Sequence, residues 1–325
     1  MSSGDRQLGR WSDRRVGAIL GGVSSLVLAL IAGMIVFVLA KAWPSFSDNG
    51  LSWFAGGHDV DVELQAIFDG SVDGEYTLHA WPLLWGTLLT TGFAMLIGIV
   101  FSTLAAIFLV EFAPERVRRV MEPAIRLLAA VPSVVYGLLG LLILVPFVND
   151  LIGDERRESV GFVVQLNGNS LLVGTLVLVV MISPIMIAII AEALRGVPKS
   201  WLEGSAALGV NRWRTITKIG LRTIRPAIVA AAVLATARAL GEAIMLSMVS
   251  GSRGFAPNPL DGLTFFFEPV RPLAATIVDN SEGLSRGTLG DTLYAFGALL
   301  LISSALLSMA GYAAKLPMRK YGIRS

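Results

Sequence analysis

Six stretches of this 325-residue chain are long, apolar and nearly free of charge: Val16–Ala40, Ala80–Val110, Leu127–Asn149, Ser159–Ala191, Pro226–Ser252 and Thr292–Ala314. A helix needs about 20 apolar residues to cross the hydrocarbon core of a bilayer, and each stretch reaches that length. A buried helix of a soluble core would be shorter and flanked by amphipathic partners. The reading is therefore an all-α integral membrane protein with six transmembrane helices, at about 16–41, 82–110, 124–148, 170–194, 226–250 and 292–314. The fourth stretch is longer than needed, so its helix is expected to begin near Ser170, after the polar run Gln165–Asn169. The first is too long for a secretory signal, and no small-residue cleavage site follows Lys41-Ala42-Trp43-Pro44.

Several function classes fall away on composition. Charged residues make up 15% of the chain, against about 25% in an ordinary globular domain. That argues against a soluble enzyme. The absence of Cys excludes disulfides, thiolate metal sites and Cys nucleophiles. His58 and His79 are the only imidazoles. They lie far apart in loops and read as solvated or loop-packing residues. A net charge of +2, with no basic tract interleaved with aromatics, does not suggest nucleic acid.

Lys and Arg favour cytoplasmic loops. Here they gather in residues 1–15, in Arg116–Arg126, in 195–225 and after Lys315. The loop Asp48–Glu75 is acidic instead. Both termini are therefore expected in the cytoplasm, with a permease domain over 16–317 and a tail over 318–325.

Two features separate a transporter subunit from a simple anchor. The first is the long basic loop 195–225. Ser200 and Glu203 have the spacing of a capping box, predicting a helix from about Trp201 to Leu208 that stops at Gly209. Asn211 could cap a second helix, on which Trp213, Ile216, Ile219, Gly220 and Ile224 share a side. A pair of helices like this either lies on anionic lipid or docks a partner. The second feature is Arg238 and Glu242, in the middle of the fifth stretch. Each charge costs roughly 2.5–3.5 kcal/mol at mid-bilayer. Four residues apart on a helix, they share a face and can pair. They are a structural ion pair or a site on a polar path that Ser247 continues.

These segments resemble a known family. Glu203-Gly204-Ser205-Ala206-Ala207-Leu208-Gly209 looks like the EAA loop of ABC importer permeases, which forms coupling helices that dock on the ATPase subunit. Three further segments are similar to the phosphate-specific permeases of the PstC type. They are Ala80–Thr91 at the second span, Leu127–Leu138 at the third, and Arg238-Ala239-Leu240-Gly241-Glu242 at the fifth. Gly204-Ser205 stands where the family usually has Ala-Ala, and Ala243 where a Thr often follows the Glu.

The resemblance implies a type I ABC importer permease fold with cytoplasmic coupling helices, in a bacterial plasma membrane. It assigns ATPase coupling to Glu203, Gly204, Ser205, Ala206, Ala207 and Gly209, and the substrate path to Arg238 and Glu242, whose polar face Ser247 continues. The implied partners are a second permease of the PstA type, an ATPase dimer of the PstB type and a binding protein of the PstS type. No GxxxxGK[ST] motif is present. ATP would be bound by the partner ATPase, with no catalytic residue, metal or cofactor on this chain. A sulfate or molybdate permease shares the same fold and loop. A channel, a secondary transporter and a membrane enzyme are the remaining alternatives; internal repeats and a catalytic cluster, their usual marks, are not visible here.

Overall fold

The computed structural model describes residues 3–56, 59–70, 77–160 and 165–316. Those residues form helices and no strand. The first apolar helix is α1 (Ser3–Asn49). After it, α2 (Val60–Phe68) begins at Asp59, whose side chain accepts from the amide of Asp61 at 2.9 Å. The second span is α3 (Trp81–Ile107), which runs on into a π turn at Phe108–Phe112.

The third span departs from the expected 124–148. The apolar run there is divided between α4 (Glu115–Ala130) and α5 (Ser133–Leu139). Pro132 causes the break, because a residue before proline is pushed out of the helical region. Val131 accordingly has ψ 132°. The span itself covers Ser133–Leu151, through α5, a second π turn at Gly140–Leu144, and α6 (Val145–Leu151). After α7 (Asp154–Val160) comes α8 (Leu171–Arg195), capped by Ser170, whose hydroxyl accepts from the Val173 amide.

The loop after α8 is structured. It contains α9 (Lys199–Ala207), α10 (Arg212–Thr215), a third π turn at Ile216–Gly220, and α11 (Leu221–Thr223). Two details differ from expectation. The first helix starts at Lys199, with Pro198 ahead of it and no side-chain cap, so Ser200 lies inside it and makes no capping box. Proline presets the first helical turn without needing a cap. The π turn also rotates the residues beyond α10. Ile216, Gly220 and Ile224 are buried, while Trp213 stays 51% exposed.

The fifth span is α12 (Arg225–Leu240) followed by α13 (Ile244–Val249), with Gly241-Glu242-Ala243 between them. The α10–α11 segment meets α12 at a 68° bend. After α14 (Leu273–Asp279), the last span is α15 (Gly287–Lys315). Among the described residues five helices are long and apolar enough to cross a membrane by length and composition, or six if the bent pair Arg212–Thr223 and Arg225–Leu240 counts as one span.

The centre of the bundle is α8. Of its most apolar window 72% is buried, against none of that of α1. Side chains from α3 close on it: a Cβ at Gly98 would meet Ile182 at 3.3 Å, and the Ser102 hydroxyl donates to the Ser183 carbonyl. Small residues and hydroxyls at such crossings are how spans associate where lipid removes the hydrophobic drive. In contrast, α1 touches the bundle along one strip of α15, where Phe37 and Tyr294 meet edge to face at 5.6 Å. The rest of its apolar surface is exposed, as suits a helix facing acyl chains.

Candidate functional site

The fifth span is broken at Gly241–Ala243. Gly241 ends α12, so Arg238 and Glu242 are not on one continuous helix. The expected pair does not form, since i,i+4 neighbours need an unbroken helix between them. Among the described residues no ion pair joins Arg238 to any carboxylate. The two side chains have opposite surroundings. Arg238 is exposed on the chain, in electrostatic range of Tyr136 on the third span. Glu242 is 8% exposed, and its Oε1 accepts from the Met245 amide at 3.3 Å, tying the carboxylate to the start of α13.

The short α13 is held by glycine. A Cβ at Gly137 of α5 would lie 3.1 Å from the Met245 Cα and 2.9 Å from the Met248 sulfur. Only glycine allows the third and fifth spans to approach this closely. Farther along α13 is Ser247. Its hydroxyl donates to Asp279 Oδ1 at 2.6 Å.

That bond belongs to a polar knot at the end of the bundle opposite the basic loops. Arg271 pairs with Asp61 at 2.7 Å, lies 3.8 Å from Asp279, and donates to the Ser252 carbonyl. Asp61 also accepts from the Gly254 amide at 3.0 Å. No sequence pattern marks this knot, because its members come from α2, α13, α14 and the stretch between the last two, and share no spacing. His79 binds Glu63 nearby, 2.6 Å from Nδ1 to Oε1, so it is a loop-packing residue. His58 lies outside the described residues. No group of three or more His, Asp or Glu able to hold a metal is found among the described residues.

Glu268, in the same outer region, is 1% exposed. Burial first, and the nearby Asp261 carboxylate second, push its carboxyl up to about 7; the Asn258 amide partly offsets this. The sign follows from linkage. A carboxyl raised in the folded state leaves stability intact below its ordinary pKa and costs more as pH climbs through about 7. Glu268→Gln should therefore raise the melting temperature of the purified protein at pH 8 and leave it unchanged at pH 5. The full penalty is at most about 3 kcal/mol. An equal gain at both pH values would show that the carboxyl does not titrate in this range.

On the basic side, α9 presents the residues of the EAA-like segment. Glu203, Gly204, Ala206, Ala207 and Gly209 are exposed. Ser205 turns inward and shares a hydrogen bond of 2.8 Å with the Thr215 hydroxyl, closing α9 onto α10. Gly209 has φ +74°, with Gly209 N–H bonded to the Ala206 carbonyl and Val210 N–H to the Ser205 carbonyl. This is a Schellman ending, for which glycine is the natural residue. Asn211 caps α10 through the Arg214 amide at 2.8 Å. Trp201 and Leu208 stand out on the same helix, Leu208 at 83% exposure.

The family described as "Binding-protein-dependent transport system inner membrane component" matches residues 98–315. The chain belongs to that family. Members are membrane permease subunits of ABC transporters. Among curated relatives, the chain is 33% identical to the "Probable ABC transporter permease protein YqgH" of Bacillus subtilis, over 94% of this chain and 93% of that one. It is 32% identical to the "Phosphate transport system permease protein PstC 1" of Mycobacterium tuberculosis, over 90% and 89%. With the "Phosphate transport system permease protein PstC" of Haemophilus influenzae the identity is 29%, over 87% and 88%. Among solved structures, a chain of the inward-facing MetNI methionine ABC transporter superposes with a TM-score of 0.54. It is 19% identical and covers 73% of this chain and 96% of its own, so the likeness is one of fold. The type I ABC permease architecture expected from the sequence is the architecture present.

Proposed function

We propose that this permease carries inorganic phosphate, as one half of the path of an ATP-driven importer. The main support is an Arg with no ion-pair partner among the described residues, four positions before a buried Glu, at a break in the fifth span. These are the residues at which the chain resembles PstC permeases. Arg238 would take phosphate oxygens in the two-pronged geometry that guanidinium allows. Glu242 would accept a hydrogen bond from a protonated phosphate oxygen. Sulfate has no such proton at neutral pH and would leave the carboxylate unpaired, which is a strong basis for discrimination. Further positive charge would have to come from the partner permease or from backbone amides.

In this reading both termini and loop 195–225 face the cytoplasm, and the opposite loops receive the binding protein. The assembly holds this chain, a PstA-type permease, a PstB-type ATPase dimer and a PstS-type binding protein. ATP is bound and hydrolysed on the ATPase, and this chain needs no cofactor. The exposed face of α9 docks there. The competing substrate is another oxyanion, since the name of the YqgH relative specifies none. Uptake of labelled phosphate at micromolar concentration, in starved cells with and without the gene, separates the two. Gene-dependent uptake that excess sulfate and molybdate leave unaffected supports phosphate. Uptake that sulfate or molybdate suppresses reassigns the substrate.

A further inference from the structure

By chain continuity, the hairpin of α9 and α10 can pull only on the helices that flank it, α8 and α12. Side chains extend its reach. Arg212, at the start of α10, pairs with Glu111 of the second span, 3.2 Å from Nε to Oε2. The same guanidinium lies over the Phe112 ring, 5.5 Å from its centre, and Trp213 meets that ring at 6.5 Å. Two more guanidinium links continue from there. Arg118 of α4 donates to the carbonyls of Leu109 and Val110, at 3.1 and 2.7 Å. Arg195, at the end of α8, pairs with Glu122 of α4.

Three observations mark the Arg212 contact as more than an ordinary surface pair. Glu111 is withdrawn from water, its side chain 12% exposed, although Arg212 is 61% exposed. Exposed pairs contribute little, but a buried carboxylate left without its cation is costly. Among the described residues, Arg212 is the ion-pair partner that Glu111 has. Next, Glu111 and Phe112 lie in the π turn that ends the second span. Such insertions are costly in an α-helix and are common at functional places. Finally, the hairpin does not pack flush on the span. A groove of about 410 Å³, lined by Glu111, Leu202, Glu203, Val210 and Arg212, lies between them.

We propose that Arg212 is a positioning residue that fastens the coupling hairpin to the second span through Glu111. Movement of α9 is then passed to α3, and through Arg118 to α4 and the third span, as well as to α8 and α12. The proposal rests on the coupling role given to α9 above.

The test uses the whole complex, with its ATPase and binding protein, in proteoliposomes supplied with inorganic phosphate. Arg212→Ala and Glu111→Gln should keep the ATPase bound and ATP hydrolysis within twofold of normal. The phosphate moved per ATP should fall at least fivefold. The exchanged pair Glu111→Arg with Arg212→Glu should return to within twofold of normal, which a merely structural contact elsewhere would not do. Arg214→Ala, on the same short helix, should change nothing. Normal coupling in the single variants, an exchanged pair no better than either, or loss of the ATPase from the single variants would each overturn the proposal. Failure of the coupling role itself would show differently, as an ATPase that still binds when the exposed face of α9 is blocked.

Discussion

Arg238→Gln is expected to lower phosphate uptake about 100-fold while the protein still inserts in the membrane at normal levels. The size follows from the contact at stake. A hydrogen bond to a charged group contributes about 1.5–3 kcal/mol, and 1.4 kcal/mol is a factor of ten. Two bonds from one guanidinium to one phosphate would therefore be worth at least two orders of magnitude. A structural role for Arg238 would need a partner in the fold, and no described carboxylate pairs with it. Retaining such a charge in a span costs roughly 2.5–3.5 kcal/mol, so its place is better explained by a ligand. Arg238→Lys keeps the charge but loses the fork, and should recover only part of the rate. Glu242→Gln should act on selectivity, weakening the preference for phosphate over sulfate. A double variant, Arg238→Gln with Glu242→Gln, that transports at the normal rate would falsify the assignment of both residues.

Gly204→Trp is the second large effect. A Cβ at Gly204 meets nothing within 4 Å, so the indole has room and the isolated chain should fold normally. The substitution falls between Trp201 and Leu208 on the exposed side of α9. If that side docks in a cleft of the ATPase, the added ring holds the two surfaces apart. ATPase co-purifying with the permease should drop at least tenfold, and phosphate uptake should fall to background. Gly204→Ala is the matched control. It restores the residue usual in the family, gains up to about 1 kcal/mol of helix propensity, and should transport normally. Full ATPase binding by Gly204→Trp would move the docking surface away from α9.

Much of this architecture is legible in the sequence because its signals are local. Ser170 and Gly209 are end signals that need only a few residues of context, and both end their helices in the structure. The unread parts are those in which hydropathy hides the backbone. Leu127–Asn149 looks like one apolar run, yet Pro132 divides it between a surface helix and a span. The fifth stretch has no proline or cluster of turn residues at Gly241, so the break there, and with it the loss of the Arg238–Glu242 pair, is not marked in the sequence. A π turn inserts one residue into a helix and shifts every later side chain, which is why Gly220 and Ile224 are buried while Trp213, ahead of the turn, is exposed. Contacts such as Arg212 with Glu111, or Arg271 with Asp61, join residues a hundred or more positions apart. No spacing rule reaches them.

The central claim is that this permease moves phosphate under the control of an ATPase on another chain. Its most direct test is accumulation of labelled phosphate by proteoliposomes holding the reconstituted complex with its binding protein. The account predicts accumulation that requires both ATP and the binding protein and persists in excess sulfate. Phosphate flux that proceeds equally without ATP, or sulfate accumulated as readily as phosphate, would contradict it.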